Sequence, residues 1–494
     1  MFKPSLPPEL TLVIDQGGHA SRALVFAADG SLRAHAIQEV KTAHPAVDQV
    51  EHDPEELLSS IDIALTRVAR LLGDDIKRVT QAGLATQRST IACWDKFTGE
   101  ALSPVISWQD RRAHAWLARY APHAATVHRA TGLFLSPHYG VSKLRWCLDH
   151  NAKVADAYRA RRLFFGPLAS FLLFRLVALR PFVTDPVNAA RTLLSNIRTL
   201  QWDKSLLELF AVPGECLPRT VPNYHDFGLI NFAGRRIPIR FVTGDQSAAL
   251  FAQGLPRPRT AYVNVGTGAF VQRPIGEQLF YHPKMLTGVV LQGEHVNYAL
   301  EGTVNGAGSA LRWVAEELSL NFIDQHLPEW LSRPQEPPLF LNGVSGLGAP
   351  FWLPRFPSRF IGPGESWQKA VAVLESIVFL LQANLEELNL EHDVTDIAIS
   401  GGIARLDGFC QRLADLSGLK VNRADMHEAS ARGMSFLLST SRKHWVATVS
   451  ARDFTPRSNA AFKARYERWR AEMNGAVAAE RRALNPSGSP HPAT

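Results

Sequence analysis

Short apolar runs recur along the chain, and each ends at a glycine or a polar residue, a pattern that predicts strands. Longer stretches with apolar residues every three or four positions lie between them and predict helices. The predicted strands cover residues 11–15, 23–27, 79–85, 237–242, 261–265, 296–300 and 395–400, and the main predicted helices cover 57–72, 163–177, 306–318, 367–388 and 406–416. Strands that alternate with helices are typical of an α/β protein.

Two stretches share the order strand, glycine turn, strand: residues 11–27 and residues 261–273. A chain of 494 residues is too long for one ordinary core and predicts two or three domains. We therefore expect a duplicated glycine hairpin, with one copy on each side of a cleft between two domains. Further along, Glu301-Gly302 is expected to open the helix over 306–318.

The net charge of +7 is concentrated near the C-terminus, because residues 441–494 contain ten Lys and Arg but only four Asp and Glu. A solvated helical face explains this excess. Binding of a polyanion by the basic helix predicted over 454–484 is the alternative. No nucleic-acid-binding signature accompanies the basic residues, so no nucleic-acid partner is expected.

Composition also indicates a compartment. The four cysteines lie far apart in the sequence, which favours a reduced, cytoplasmic protein without a zinc site or a disulfide framework. The N-terminal residues lack the apolar core of a signal peptide. Glycine, proline and arginine interrupt the most apolar patch, 163–177, which predicts a buried helix and no membrane partner. Homo-oligomers are possible.

Candidate chemistry is concentrated in residues 240–270. Asp245 follows the predicted strand 237–242 directly and should lie at or just before a helix N-terminus, where a carboxylate can take a proton from a hydroxyl. The turn Gly266–Gly268 follows the next strand and can expose backbone N–H groups to phosphate oxygens. Taken singly, each feature also fits a helix cap or an ordinary hairpin turn.

The first hairpin carries a similar combination. Asp15 ends a strand and enters a glycine turn, which suits a phosphate site with Mg²⁺ held through water. Gly401 and Gly402 lie between a strand and a helix, where the missing side chains let a nucleotide approach the backbone. No P-loop or protein-kinase motif is present.

Arg88 and Trp108 follow two other predicted strands. A guanidinium that binds hydroxyls and an indole that packs on a C–H face together suit a polyhydroxylated ligand. A surface arginine and a core tryptophan are the alternative explanation.

Taken in order, these segments resemble the FGGY carbohydrate kinases and, among them, the glycerol kinases. The resemblance extends from about residue 10 to about residue 469. The motifs that carry it are D-Q-G…S-R at 15–22, V-E-H-D-P at 50–54, T-Q-R at 86–88, W-Q-D-R-R at 108–112, T-D-P…N-A…R-T at 184–192, N-I-R-T-L-Q-W-D at 196–203, G-D-Q-x-A-A-L-F at 244–251, G-T-G at 266–268, L-E-G at 300–302, G-L-G-A-P-x-W at 346–352 and S-G-G at 400–402.

The resemblance implies two actin-like, ribonuclease-H-like α/β domains, residues 1–250 and 251–485, that close over ATP, Mg²⁺ and a small polyol or sugar. Residues 486–494 are expected to form a disordered tail. The resemblance also implies functional residues: Asp245 as general base; Arg88, Ser89, Trp108, His138, Asp245, Gln246 and Phe270 on the acceptor; Gly17, Gly18, His19, Arg22, Gly266, Thr267, Gly308, Arg312, Gly401 and Gly402 on the nucleotide; and Asp15 on the metal.

The chain departs from the glycerol kinase pattern at the sites of chemistry. Gly18, His19 and Ala20 replace three hydroxyl residues of the first hairpin. Ser89 replaces a glutamate of that pattern, and His138 replaces a tyrosine. In the glycerol kinase pattern, that glutamate and that tyrosine hold the hydroxyls of glycerol. The sequence therefore predicts an ATP-dependent kinase that acts on a primary hydroxyl of a polyol or sugar. A catalytically degenerate member that binds a sugar or nucleotide and regulates a partner is the alternative.

Overall fold

The computed structural model describes residues 9–333, 336–389, 393–424, 428–439, 442–445 and 451–484. The predicted tail, 486–494, lies outside these residues. Within them, the elements fall into two α/β halves, each built on a mixed sheet.

The first half is built on a six-stranded sheet in the order β11-β12-β5-β1-β2-β3. Its strands, with those of two smaller sheets, are β1 (Leu10–Gln16), β2 (Ala20–Ala27), β3 (Leu32–Glu39), β4 (Glu51–His52), β5 (Val79–Thr86), β6 (Ile91–Asp95), β7 (Val105–Ile106), β8 (Leu163–Pro167), β9 (Val183–Thr184), β10 (Arg219–Thr220), β11 (Leu229–Phe232) and β12 (Arg235–Gly244). Its helices are α1 (Pro54–Leu72), α2 (His114–Ala118), α3 (Ala124–Thr131), α4 (Gly140–His150), α5 (Ala152–Arg159), α6 (Leu168–Leu176), α7 (Pro186–Ala190), α8 (Lys204–Leu209) and α9 (Asp245–Ala249).

The second half is built on a seven-stranded sheet in the order β15-β16-β14-β13-β19-β20-β21. The strands are β13 (Thr260–Val265), β14 (Ala269–Gly276), β15 (Leu286–Gln292), β16 (Val296–Val304), β17 (Leu339–Leu341), β18 (Arg359–Ile361), β19 (Asp396–Ser400), β20 (Lys420–Ala424) and β21 (Ala451–Phe454). The helices are α10 (Gly308–Glu317), α11 (Ile323–Ser332), α12 (Ser366–Leu388), α13 (Asp407–Ser417), α14 (Ala429–Leu438) and α15 (Ala460–Leu484).

The two sheets repeat one arrangement. In the first, the antiparallel hairpin β1–β2 is followed outward by strands β5 and β12, which run parallel to β1. In the second, the antiparallel hairpin β13–β14 is followed by β19 and β20, which run parallel to β13. The predicted duplication of a glycine hairpin is thus present. The predicted domain boundary at 250/251 falls between the last strand of the first sheet and the first strand of the second.

Helix α14 connects the halves, because it belongs to the second half in sequence but packs against β1 and β5. Glycine at position 83 of β5 lets the side chains of Leu438 and Met434 approach closely, because a Cβ atom there would lie 2.7 Å from both. The side chain of Gln81 also donates a hydrogen bond to the Leu438 carbonyl at 2.9 Å. Met434 and Leu438 belong to an apolar cluster that also contains Val13 and Leu24 of the first half.

Two predicted elements are wrong. Residues 163–177 form a strand and then a helix, because β8 pairs with β6 and so satisfies the backbone of an apolar run that periodicity cannot assign. Strand β16 continues through Glu301-Gly302 to Val304, so this pair does not open a helix. A Cβ on Gly302 would lie 1.9 Å from Asn384 Oδ1, so the glycine belongs to close packing inside the domain.

The basic C-terminal helix α15 packs on the second core. Trp469 is fully buried there, and Arg465 pairs with buried Glu375 at 2.7 Å. Arg470 pairs with Glu386 of α12. Part of the basic charge is therefore neutralised within the protein, and polyanion binding stays an untested alternative. Across the described ranges, no helix is both long enough and apolar enough to cross a bilayer.

Candidate active site

The first glycine hairpin places Asp15 at the end of β1. The turn closes by a hydrogen bond from Gly17 N to Ala20 O at 3.0 Å. Arg22 Nη1 lies 3.9 Å from Asp15 Oδ2, and Arg22 Nε lies 3.2 Å from Glu428 Oε2 of the opposite half. Burial raises the pKa of Asp15 to about 7; Arg22 opposes this shift, and the nearby carboxylates of Asp245 and Glu428 add to it.

The three substituted residues of this turn have different environments. Gly18 is half-buried, and its carbonyl accepts a hydrogen bond from Thr42 Oγ1 at 3.2 Å. His19 is exposed, with its carbonyl bonded to Val40 N at 2.9 Å, while Ala20 is buried. His19 therefore presents an imidazole at a position where the family pattern has a hydroxyl.

The second glycine hairpin joins β13 to β14 and rests on two further glycines. Gly308 begins α10, and its N–H donates to Gly266 O at 3.0 Å; a Cβ on Gly308 would lie 2.8 Å from that oxygen. Gly401 follows β19 with a φ of +100°, and a Cβ there would lie 2.4 Å from Val265 O. Both positions require glycine, so this turn and the strand-to-helix turn at 401 and 402 lie side by side.

Asp245 begins helix α9 directly after β12. Its Oδ1 accepts a hydrogen bond from Gln246 N at 2.7 Å, and burial raises the pKa of the carboxyl. The positive charge of Arg88 is the strongest of the influences that lower the pKa of Asp245. The two groups are neighbours because the Arg88 stem crosses Gly244, where a Cβ would lie 2.4 Å from Arg88 Cγ.

One cavity of about 910 Å³ between the halves joins these features. Its lining includes, from the first half, Asp15, Gly17, His19, Arg22, Asp245 and Gln246, and from the second half, Asn264, Gly266, Ser400, Gly401, Gly402, Arg405, Arg423, Glu428 and Arg452. A smaller adjoining cavity is lined by Gln246 and Phe270. Two carboxylates of one half thus face the glycine turns of the other.

Arg88 also takes part in a buried ion cluster between the halves. Glu301 of β16 accepts from Arg88 Nη2 at 3.0 Å and from both terminal nitrogens of Arg191, at 2.9 and 2.8 Å. Gln272 Nε2 adds a fourth bond at 2.8 Å. These guanidinium groups hold the pKa of Glu301 at about 2 against the effect of burial, so the carboxylate is charged at neutral pH.

The other predicted acceptor residues lie beside this cluster. Ser89 is buried with a φ of +63°, and its hydroxyl has no hydrogen-bond partner. The ring of Trp108 packs edge-on against the ring of His138, with 5.4 Å between centroids. The ammonium of Lys143 on α4 donates to the backbone carbonyls of both Ser89 and His138.

The structure does not bring every predicted residue to the main cavity. Gly18, Thr267 and Gly308 lie outside its lining, in the two glycine turns and at the start of α10. Four predicted acceptor residues also lie outside it: Arg88, Ser89, Trp108 and His138. Arg312 lies exposed on α10 and is likewise outside the lining, so its nucleotide role stays a prediction. The roles given above to Glu301, Arg191, Lys143 and Glu428 were not predicted. For Glu301, a single carboxylate next to an apolar run was the only signal available.

Comparison with known proteins agrees with this architecture. Residues 10–252 match the N-terminal domain of the FGGY family of carbohydrate kinases, and residues 261–441 match its C-terminal domain. The chain is 35% identical to a glycerol kinase of Trichlorobacter lovleyi over 88% of this chain and 90% of the relative. It is 34% identical to a glycerol kinase of Rhodopseudomonas palustris over 95% and 99%.

A solved structure shows the same fold. The glycerol kinase of Plasmodium falciparum, crystallised with ADP, superposes with a TM-score of 0.83 at 22% identity and covers 95% of this chain and 98% of its own. The predicted two-domain, actin-like α/β fold and the predicted resemblance are both confirmed. The chain belongs to the FGGY family of carbohydrate kinases and is a phosphotransferase that acts on an alcohol group.

Proposed function

We propose that this enzyme transfers the terminal phosphoryl group of ATP to a primary hydroxyl of a small polyol or sugar, with Asp245 as the general base. The observation that carries the proposal is the shared cavity, in which the carboxylates of Asp15 and Asp245 face Gly266 and Gly401. In-line transfer requires the base and the backbone that binds the phosphates to face the same cavity.

The chemistry of Asp245 fits the role. Its raised pKa makes it a stronger base than an ordinary aspartate, and Arg88 beside it favours the charged form that accepts the proton. The acceptor oxygen forms a bond to the terminal phosphorus while the bond from that phosphorus to the ADP oxygen breaks. The hydroxyl proton passes to Asp245.

The residues present also fit a nucleotide and a magnesium ion. Arg22 lies at the cavity wall, where its charge would face the phosphates, and the glycine at 401 leaves room for a ligand close to the backbone. Asp15 would hold Mg²⁺, because its carboxylate lines the cavity and the Arg22 guanidinium lies as far as 3.9 Å from it. When bound, the ion would neutralise charge on the transferred phosphoryl group. The described residues contain no cluster of three or more metal-ligating side chains, and Mg²⁺ is commonly bound by only one or two carboxylates.

The test is ADP formation on a panel of polyols and ketoses, each paired with its deoxy analogue that lacks the primary hydroxyl. We expect turnover of at least one member and none of its deoxy partner. ATP and acceptor binding without ADP formation on any member would favour the degenerate, regulatory alternative suggested by Gly18, His19 and Ala20. Cytoplasmic location and homo-oligomers stay predictions.

A further inference from the structure

A continuous chain of hydrogen bonds crosses the first half and ends at the turn that follows β1. The backbone N–H of Trp108 donates to Thr90 Oγ1 at 3.0 Å, and the Thr90 hydroxyl donates to Gln87 Oε1 at 3.1 Å. Gln87 Nε2 donates to Gln16 Oε1 at 3.3 Å, and Gln16 Nε2 donates to the carbonyl of Gly17 at 2.6 Å. All four bonds point in the same direction along the chain, so each bond polarises the next.

The side chains of this hydrogen-bonded chain are buried. Gln16 is 0% exposed, Thr90 is 1% exposed and Gln87 is 2% exposed. A backbone bond adds a further link, because Gln87 N donates to Gln16 O at 2.9 Å. Apolar side chains of similar shape could fill the same space at little or no cost, whereas buried amides must keep their hydrogen-bond partners. Two glutamines in contact here therefore indicate a role beyond packing.

The chain fixes the orientation of one peptide unit in the first glycine turn. Because a peptide unit is planar and trans, the N–H of Gly18 points away from the Gly17 carbonyl that Gln16 holds. Within the described residues, this N–H donates to no acceptor. Gly17 and His19, on either side of Gly18, both line the main cavity. A Cβ on Gly18 would lie 3.6 Å from Gln87 Oε1, so the second glutamine packs against the same peptide.

The segment that carries Gln87 also reaches the proposed general base. The next residue, Arg88, passes over Gly244, where a Cβ would lie 2.4 Å from Arg88 Cγ, and Asp245 follows Gly244 directly. Two consecutive residues thus contact the glycine turn on one side and the residue before the base on the other. This matters because a misplacement of reacting groups by about 1 Å can lower a rate by about 10²-fold.

Resting on the proposed function, we propose that Gln16 and Gln87 are positioning residues for phosphoryl transfer. They hold the peptide between Gly17 and Gly18 so that the Gly18 N–H donates to the terminal phosphate of ATP. Neither glutamine touches the nucleotide or the acceptor. The terminal phosphate is the one concerned, because it must lie next to Asp245, which belongs to the same half as this turn and lines the same cavity.

Calorimetry with ADP and with the non-hydrolysable β,γ-imido analogue of ATP tests this inference without turnover. Gln16→Met keeps the length of the side chain and removes its hydrogen bonds. We expect it to bind the imido analogue about tenfold more weakly, the size of one hydrogen bond to a charged group. Its affinity for ADP, which lacks the terminal phosphate, should be unchanged. Gln382→Met is the matched control, because Gln382 is half-buried on α12 and donates to Glu386 of the same helix at 3.2 Å.

Two further variants test whether the residues act in series. Gln87→Met should show the same selective loss, and the double variant should lose no more affinity than Gln16→Met alone, whereas independent effects would add. If Gln16→Met does not fold, Gln87→Met and Thr90→Val, which keeps the shape of the threonine and breaks the next bond, carry the test. Equal weakening of both nucleotides, additive losses or unchanged affinity for the imido analogue would overturn the inference.

ADP formation by the wild-type enzyme is measured separately on the acceptor panel. Turnover by the wild type, together with undiminished binding of the imido analogue by Gln16→Met and Gln87→Met, would overturn this inference and leave the proposed function intact. A selective loss of imido-analogue binding in both variants, with no turnover of any acceptor by the wild type, would support the placement of the terminal phosphate and contradict the proposed function.

Discussion

The ion cluster at Glu301 gives the sharpest test of how the two halves are held together. Replacing Glu301 by glutamine keeps the shape of the side chain and removes its charge. Arg88 and Arg191, whose side chains are 6% and 4% exposed, would then lose the one carboxylate that both of them contact. Gln272, the other partner of Glu301, is uncharged, and the single carboxylate of Asp245 near Arg88 can offset only part of this charge.

Two separate arguments give the size of the stability loss expected for Glu301→Gln. Removing one partner of a buried ion pair costs about 3–5 kcal/mol, because the remaining charge is left uncompensated. Independently, the pKa of Glu301 falls from 4.5 to about 2, a difference that corresponds to about 3 kcal/mol in favour of the charged form. We therefore expect Glu301→Gln to lower the free energy of unfolding by about 3 kcal/mol or more at pH 7.

The pH dependence of this loss follows from the same shift. The folded-state pKa is depressed, so the stabilisation is fully present above the unfolded value of 4.5 and disappears as the pH falls towards about 2. The difference between wild type and Glu301→Gln should therefore shrink across that window. Above pH 4.5 the difference in stability between wild type and Glu301→Gln should not change with pH.

Urea denaturation followed by tryptophan fluorescence measures both quantities. Glu316→Gln, at an exposed position on α10, is the matched control and should change stability by less than about 0.5 kcal/mol. A loss below about 1 kcal/mol in Glu301→Gln, or a loss that does not depend on pH below 4.5, would refute the reasoning.

Three further predictions concern the cavity. Arg22→Gln should weaken ATP binding by about tenfold in calorimetry, because Arg22 is held by Glu428 at the cavity wall; unchanged affinity would contradict this placement. Gly401→Ala should abolish nucleotide binding and lower stability by about 1–3 kcal/mol in denaturation, since its new Cβ would lie 2.4 Å from Val265 O at a φ of +100°. The rate constant kcat/KM should fall on acidification with an apparent pKa above the ordinary 3.8, because Asp245 must be deprotonated and its pKa is raised; a pH profile that is flat down to 3.8 would argue against it.

The parts of the fold that the sequence predicted well are those with a strong local signal. The hairpins that begin at Asp15 and Gly266 were predicted because two short apolar runs joined by a glycine turn are typical of a β-hairpin. The start of α9 at Asp245 was predicted for the same reason: an apolar strand ends and helical composition begins. Arg88 was predicted to follow a strand, but its place beside Asp245 was not predicted.

The parts that were missed depend on contacts between distant residues. Glu301 lies inside a strand because β14 and β15 pair on both sides of β16, and no local pattern shows that. Its pairing with Arg191, 110 positions earlier in the chain, joins the two halves and has no local sequence signal. The sequence predicted only that Lys143 lies in a helix. Its hydrogen bonds to the carbonyls of Ser89 and His138 depend on how α4 packs.

The central claim is that Asp245 removes the proton of the acceptor. The most direct measurement compares Asp245→Asn with wild type in two assays on the same preparation: ADP formation with the best acceptor, and calorimetric binding of β,γ-imido-ATP. We predict that turnover falls by about 10²–10⁴-fold, the usual contribution of a general base, while nucleotide affinity is unchanged. An Asp245→Asn enzyme that forms ADP at the wild-type rate would contradict the account.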